Sequence, residues 1–320
     1  MSDNVKRVLL VGAGNMAEEY VKILKDLDVY LEVIGNGKKN AEKIRNEYGV
    51  SVSEGGLENY MESNDITSFD YAINAVNTRN LGRVSVELLR AGVKNCLIEK
   101  PGFISKEESE EVLSYSADKN VYIAYNRRFY ESVNRGREII KEDGGVKSFS
   151  FEFTEWRHVF DSLPRKEYLE YLFLANSSHV VDLAFFLAGG LPETVTSIVS
   201  GAGTIDWHRN GCIFSGAGKT DNGAVFSYSA NWDAPGRWGI EINTRYHRLI
   251  YRPLEKLQLM DVGSVRIYES DIDYSLDEKY KPGLFREVES FLNGESDKLC
   301  NVKEQADKLS FYEKISGEEY

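Results

Sequence analysis

The chain has 320 residues, 42% of them hydrophobic, and a formal net charge of −12. No apolar run approaches the ~18 residues that would span a bilayer, and the acidic balance argues against nucleic acid or an anionic membrane surface as a partner. Cys96, Cys212 and Cys300 are too few and too scattered for a disulfide framework. The histidines His158, His179, His208 and His247 lack metal-ligand spacing, so no metal is expected. Met1-Ser2-Asp3-Asn4 has no basic stretch leading into an apolar one, which together with the cysteine usage points to the cytoplasm.

In chain order, short apolar runs alternate with helical patterns. Residues 5–11 read as a buried strand, and 17–27, with Tyr20, Ile23, Leu24 and Leu27 at helical spacing, as the helix after it. Strand 31–34, helix 41–48, strand 69–76, helix 81–91, strand 96–98, helix 107–119 and strand 121–125 continue the alternation. Such a pattern predicts a parallel sheet covered on both faces. From residue 145 the period changes to two: Phe149, Phe151 and Phe153 alternate with polar residues, and strands are expected at 194–199, 211–215, 224–231, 239–243, 248–251 and 256–260. A helix over 177–188 precedes most of them and ends at Gly189-Gly190. The expected fold class is therefore α/β. An N-terminal Rossmann doubly wound parallel sheet (1–125) is followed by a C-terminal α+β domain (126–320) built on a large, mostly antiparallel open sheet.

Gly12-Ala13-Gly14-Asn15-Met16-Ala17 directly follows the first strand and opens a helix. Gly12 permits the tight turn, and Gly14 lets the backbone approach a pyrophosphate favoured by the helix N-terminus. In that context a G-x-G-x-x-A reads as dinucleotide binding, against the alternative of an ordinary strand-to-helix turn. The second strand ends Gly35-Asn36-Gly37-Lys38-Lys39, with no acid for the ribose hydroxyls of NAD. Asn36 is neutral, and Lys38 and Lys39 can meet a 2′-phosphate, which favours NADP over NAD; the competing reading is a solvated turn. Glu99-Lys100-Pro101 arrives at the same edge of the sheet after Cys96-Leu97-Ile98.

Taken with Tyr125-Asn126-Arg127-Arg128-Phe129, His179-Val180-Val181-Asp182 and the stretch from Phe285 to Gly294, these motifs resemble the glucose–fructose oxidoreductase / inositol dehydrogenase (Gfo/Idh/MocA) family over nearly the whole chain. The resemblance implies an NAD(P)-dependent oxidoreductase acting on a hydroxyl or carbonyl of a sugar, polyol or sugar derivative, with residues 126–320 as its substrate-binding and oligomerisation domain. It makes Lys100 the first catalytic candidate, beside the nicotinamide, and His179 the second, as a proton exchanger paired with it. His179 and Asp182 share a helical face, so a histidine merely satisfied by Asp182 is the competing reading. The implied cofactor residues are Gly12, Gly14, Asn15, Met16, Asn36, Lys38, Asn77, Glu99 and Lys100. Asn126, Arg127, Tyr168, Asn176, Asp182 and Arg237 are candidates for the substrate. Asn176 reads equally as a helix cap, and one of Arg127 and Arg128 as a salt-bridged surface residue.

Two departures from the family pattern stand out. Ala175 occupies a position where many relatives carry Asp, and Leu81 one where they often carry His. They point to a distinct substrate and count against simple sugar or inositol oxidation, while the arginines and tryptophans, with Arg237 flanked by Trp232 and Trp238, direct the substrate reading towards an acidic or nucleotide-linked sugar. The other readings are an enzyme of this fold that holds its nucleotide tightly and uses it transiently, as a sugar hydrolase, epimerase or dehydratase, and a non-catalytic nucleotide-binding sensor. A homo-oligomer, dimer or tetramer, is expected from the open sheet.

Overall fold

The computed structural model describes residues 5–163 and 169–320. Its contacts divide into two compact units. The first comprises the chain up to Asn126 together with Glu278–Asp307, and the second Arg127–Asp277 with Lys308–Tyr320.

In the first unit, strands β1 (Arg7–Val11), β2 (Tyr30–Gly35), β3 (Ser51–Glu54), β4 (Tyr71–Asn74), β5 (Asn95–Glu99) and β6 (Asn120–Ala124) pair in parallel in the order 6-5-4-1-2-3. Helices α1 (Asn15–Asp26), α2 (Lys38–Tyr48), α3 (Gly56–Met61), α4 (Leu81–Arg90) and α5 (Lys106–Ser114) connect them. The core of β1, Val8 to Val11, is buried, as a strand covered on both faces must be. Helix α1 turns Ala17, Tyr20, Val21, Ile23 and Leu24 inward, the face its spacing predicts. Because β1 lies between β2 and β4, the winding reverses at its carboxyl end, where α/β sheets bind ligands. The predicted elements recur with shifted ends, while β3 and α3 are additions.

The second unit begins with α6 (Glu131–Glu142), then β7 (Ser148–Glu152), α7 (Arg157–Asp161) and α8 (Ser178–Ala188). Strands β8 (Pro192–Ser200), β9 (Ile213–Thr220), β10 (Val225–Asn231), β11 (Gly239–Asn243), β12 (His247–Tyr251), β13 (Gln258–Asp261) and β14 (Ile267–Glu269) follow. The sheet order is 14-13-12-11-7-10-9-8, antiparallel throughout except that β7 and β10 run parallel. Side chains alternate as expected: Phe226, Tyr228 and Ala230 of β10 are buried while Val225, Ser227 and Ser229 face out. Helix α8, apolar around most of its circumference, closes the inner face, with Phe185 at 5.3 Å from Phe149 and 5.1 Å from Phe226 between ring centroids.

The remaining elements close the chain: α9 (Ser275–Lys279), α10 (Leu284–Asn293), β15 (Cys300–Asn301) and α11 (Val302–Ser316). In the first unit, β15 adds antiparallel to β6 through Cys300–Ile123 and Asn301–Tyr122.

Candidate functional site

Gly12 has φ +126°, open to glycine alone, and a Cβ there would stand 2.4 Å from the Ala75 carbonyl oxygen. A Cβ at Gly14 would meet nothing within 4 Å, so its bare backbone faces open space. Gly14 caps α1 without any side-chain acceptor, and Gly37 caps α2 in the same way. Two helix N-termini therefore keep first-turn N–H groups and positive dipole ends for an anion. Between them runs a groove of 670 Å³ lined by Gly12, Gly14, Asn15, Met16, Asn36 and Asn77 among others. Those six were all expected from the sequence to hold the cofactor. Asn74, buried at the end of β4, ties that strand to α4, its amide donating to the Leu81 carbonyl (3.0 Å) and the Ser85 hydroxyl (2.9 Å). The unexpected lining residues include Glu58, Arg83 and Glu87, and Arg83 pairs with both carboxylates. The residues present fit a dinucleotide: glycine backbone and an uncapped helix for the pyrophosphate, and a neutral Asn36 at the tip of β2.

The other expected cofactor residues lie elsewhere in this unit. Lys38 does not line the groove; its side chain is 75% exposed and pairs with Glu42 at 3.7 Å. Glu99 is buried and accepts the Tyr20 hydroxyl at 2.8 Å, and burial raises its carboxyl above the ordinary range despite the opposing pull of Lys100. Lys100, half-buried, follows β5 at its carboxyl end. The next peptide is anchored from far along the chain: Gln305 Nε2 donates to the Pro101 carbonyl at 3.0 Å, and the Tyr125 hydroxyl donates to Gln305 Oε1 at 3.1 Å. Asn126 is also fixed within the unit, giving its amide to the Pro282 carbonyl at 2.8 Å.

In the second unit the focus is Glu155, a residue the sequence reading passed over. Phe149 and Phe151 of β7 point inward by the strand period, and beyond the strand's end Phe153, Thr154 and Glu155 are all buried, so that the Glu155 carboxylate is enclosed. Ser177 donates its hydroxyl to Oε1 at 2.7 Å, Asn176 donates its amide to both oxygens at 3.0 Å, and Arg237 Nη1 stands 3.4 Å from Oε2. The stretch Phe173–Ser177 is a π-helical turn running into α8. That widened turn lets two consecutive side chains reach one acceptor, which a regular α-turn disfavours. Burial pushes the Glu155 carboxyl up to about 7, against the opposing effects of Ser177, Arg237 and Asn176.

Around this carboxylate, Arg237 lies on two indoles, its guanidinium carbon 4.6 Å from the Trp156 ring centre and 4.5 Å from that of Trp238. Arg127 stands 4.8 Å from the same Trp238 ring, and the buried His179 ring lies 6.4 Å from it. Four expected residues, Arg127, Asn176, His179 and Arg237, are thus gathered about Trp238 and Glu155.

Several expectations are corrected. Asp182 is not placed to bind substrate: it is buried, and both oxygens are taken by Arg128 (2.8 and 2.6 Å), with Lys308 at 2.7 Å from Oδ1. Arg128 is consequently a buried ion-pair residue and not a surface one. Asn176 is not the cap of α8: Ser177 holds that position without a side-chain cap bond, and the Asn176 amide is directed to Glu155. Trp232 does not flank Arg237; it is buried in the core, where its indole N–H reaches the Phe153 carbonyl at 3.0 Å. Tyr168 lies outside the described residues.

A family model described as "Oxidoreductase family, NAD-binding Rossmann fold" (GFO_IDH_MocA) matches residues 6–126. An uncharacterized oxidoreductase of Streptococcus pneumoniae serotype 4 (strain ATCC BAA-334 / TIGR4) is 26% identical over 193 residues, covering 58% of this chain and 51% of that protein. The chain thus spans about half the length of this curated relative. Among solved structures, UDP-N-acetylglucosamine 3-dehydrogenase GnnA from Acidithiobacillus ferrooxidans is similar with a TM-score of 0.77 at 16% identity, covering 99% of this chain and 98% of that one. A levoglucosan dehydrogenase in complex with NADH and levoglucosan gives a TM-score of 0.75 at 17% identity, covering 98% of this chain and 96% of that one. At these identities the two likenesses are likenesses of fold.

Proposed function

We infer that the chain, whose residues 6–126 match the Gfo/Idh/MocA family model with its NAD-binding Rossmann fold, is a member of that oxidoreductase family. From that premise we propose that it moves a hydride between a nicotinamide dinucleotide and a hydroxyl or carbonyl of a sugar derivative carrying an acidic or nucleotide-linked group. One observation carries the reading: the groove beside Gly12 and Gly14, at the switch point of the first sheet, opens on an uncapped helix N-terminus suited to a pyrophosphate. The names of the fold's relatives, a UDP-N-acetylglucosamine 3-dehydrogenase and a levoglucosan dehydrogenase, support the sugar class.

A bound dinucleotide supplies the hydride donor or acceptor. The residues to hold it are Gly12, Gly14, Asn15, Met16, Asn36 and Asn77. NADP is the preferred form in this reading. The tip of β2 offers neutral Asn36 in place of an acid, and uncapped α2 begins with Lys38 and Lys39, both exposed and within a turn of the groove residues Asn36, Gly37 and Asn40. Lys100 contributes a cationic N–H donor that polarises a carbonyl oxygen or steadies the alkoxide of a hydroxyl being oxidised. His179 exchanges the accompanying proton with the substrate oxygen.

The outer face of the second sheet exposes Ile198, Ile213 and Val225, and it is the proposed surface for a homodimer or tetramer. The test of function is a screen of sugar acids, polyols and nucleotide sugars with NADP and NAD, following reduced nicotinamide. Turnover of an acidic or nucleotide-linked sugar is the expected result. Purified protein that retains dinucleotide and shows no net redox change with any substrate would overturn it in favour of transient cofactor use.

A further inference from the structure

We propose that Arg127 and Arg237, both laid against the ring of Trp238, form the subsite for an oxyanion on the substrate, with Glu155 as the buried counter-charge that positions Arg237. This rests on the oxidoreductase reading only in calling the ligand a substrate.

The arrangement departs from an ordinary surface ion pair in three ways. Arg237 is half of an ion pair whose other half is fully buried, the side chains being 42% and 0% exposed. Its single bond to Glu155 is long, 3.4 Å, and a guanidinium has five N–H donors in a rigid fork. The contacts of its guanidinium with the Trp156 and Trp238 rings hold the fork in place without consuming its donors. Arg127 meets the same indole, makes no ion pair among the described residues, and has a buried Nε with no hydrogen-bond acceptor. A buried charged donor of that kind calls for a partner.

Two guanidiniums on one indole repel each other unless an anion joins them. Glu155 answers Arg237, and burial pushes its carboxyl up to about 7, so near neutral pH it only partly offsets the two positive charges. The deficit is one negative group of a size that presents two or three oxygens to a forked donor, which describes a carboxylate or a phosphate. Glu155, itself out of reach of solvent, acts through Arg237 and Asn176 as a positioning residue.

Isothermal titration of the full chain with glucuronate, glucose 6-phosphate and glucose decides the matter. At least one of the two anions should bind about tenfold more tightly than glucose, and Arg127→Gln and Arg237→Gln should each remove about that factor, the expected size for loss of a charge-assisted contact. Glucose affinity and NADP affinity, measured on the same variants, should stay unchanged and serve as the check on folding. Preference for glucuronate assigns a carboxylate, and preference for glucose 6-phosphate a phosphate. Equal binding of all three probes, failure of all three to bind, or full anion affinity in either variant overturns the subsite. Anion binding without turnover of any sugar leaves the subsite standing and sinks the oxidoreductase reading instead.

Discussion

The Ser177 hydroxyl and the Glu155 carboxylate meet at 2.7 Å across 22 positions of sequence. The bond ties the π-turn at the start of α8 to the buried stretch beyond the end of β7. It holds a carboxyl whose affinity for a proton is raised mainly by burial, to about 7 from 4.5. The sign follows from linkage: the folded state favours the protonated acid more than the unfolded chain does. Its contribution is therefore full below pH 4.5 and is lost as pH rises through about 7. Glu318 is shifted in the same direction, to about 7, so the useful quantity is a difference between proteins. Denaturant unfolding from pH 4.5 to 8 should show Glu155→Gln gaining on the wild type as pH rises. A constant gap across that range would show that the carboxyl titrates normally.

Asp182 behaves oppositely. Burial alone would raise its pKa, but the charges of Arg128 and Lys308 prevail and hold it below the ordinary carboxylate range. Its stabilisation is present above that range and is lost as pH falls through the lowered value. Asp182→Asn leaves two buried cations without a counter-charge, at a cost of ~3–5 kcal/mol. Thermal unfolding should show a fall in Tm of roughly 10 °C. A fall of under ~2 °C would mean that water already reaches the pair.

Lys100→Met should leave dinucleotide binding intact and lower kcat by roughly 100- to 1,000-fold, the range for losing one donor to a developing oxyanion. Steady-state kinetics beside a dinucleotide titration separates the two effects. Wild-type turnover in this variant would remove the lysine from the chemistry.

The 2′-phosphate reading makes a selective prediction. Lys38→Ala with Lys39→Ala should raise the KM for NADP about tenfold and leave that for NAD unchanged. Equal effects on both cofactors, or a wild-type preference for NAD, would assign the lysines to the solvated turn.

Much of the first unit was legible because its signals are local. The Gly12 turn, the apolar β1 and the inward stripe of α1 each sit within a few residues, and each matches its structural role. β3 escaped notice because Ser51-Val52-Ser53-Glu54 buries only Val52. α6 carries Gly136, a poor helix former, whose missing side chain makes room for Tyr251: a Cβ there would fall 1.7 Å from the Tyr251 hydroxyl. Helical propensity gave way to a contact the sequence does not announce. Glu155 did leave a trace, as an acid in phase with Phe149, Phe151 and Phe153, but its meaning depends on Asn176, Ser177 and Arg237 arriving from elsewhere. Asp182 misled for the same reason. Its spacing from His179 is a helical fact, whereas its partners Arg128 and Lys308 are tertiary ones.

The division of the chain has a consequence for how the protein is made. The last strand of the first sheet is Cys300–Asn301, and the amide that clasps Pro101 belongs to Gln305. A ribosome must therefore pass residue 301 before the dinucleotide-binding half has its edge strand, and residue 305 before it has the clamp beside its lysine. Cutting the gene after residue 126 would yield a sheet with an open flank, prone to pairing with strangers. A freestanding version of that half would have to splice 278–307 back onto it.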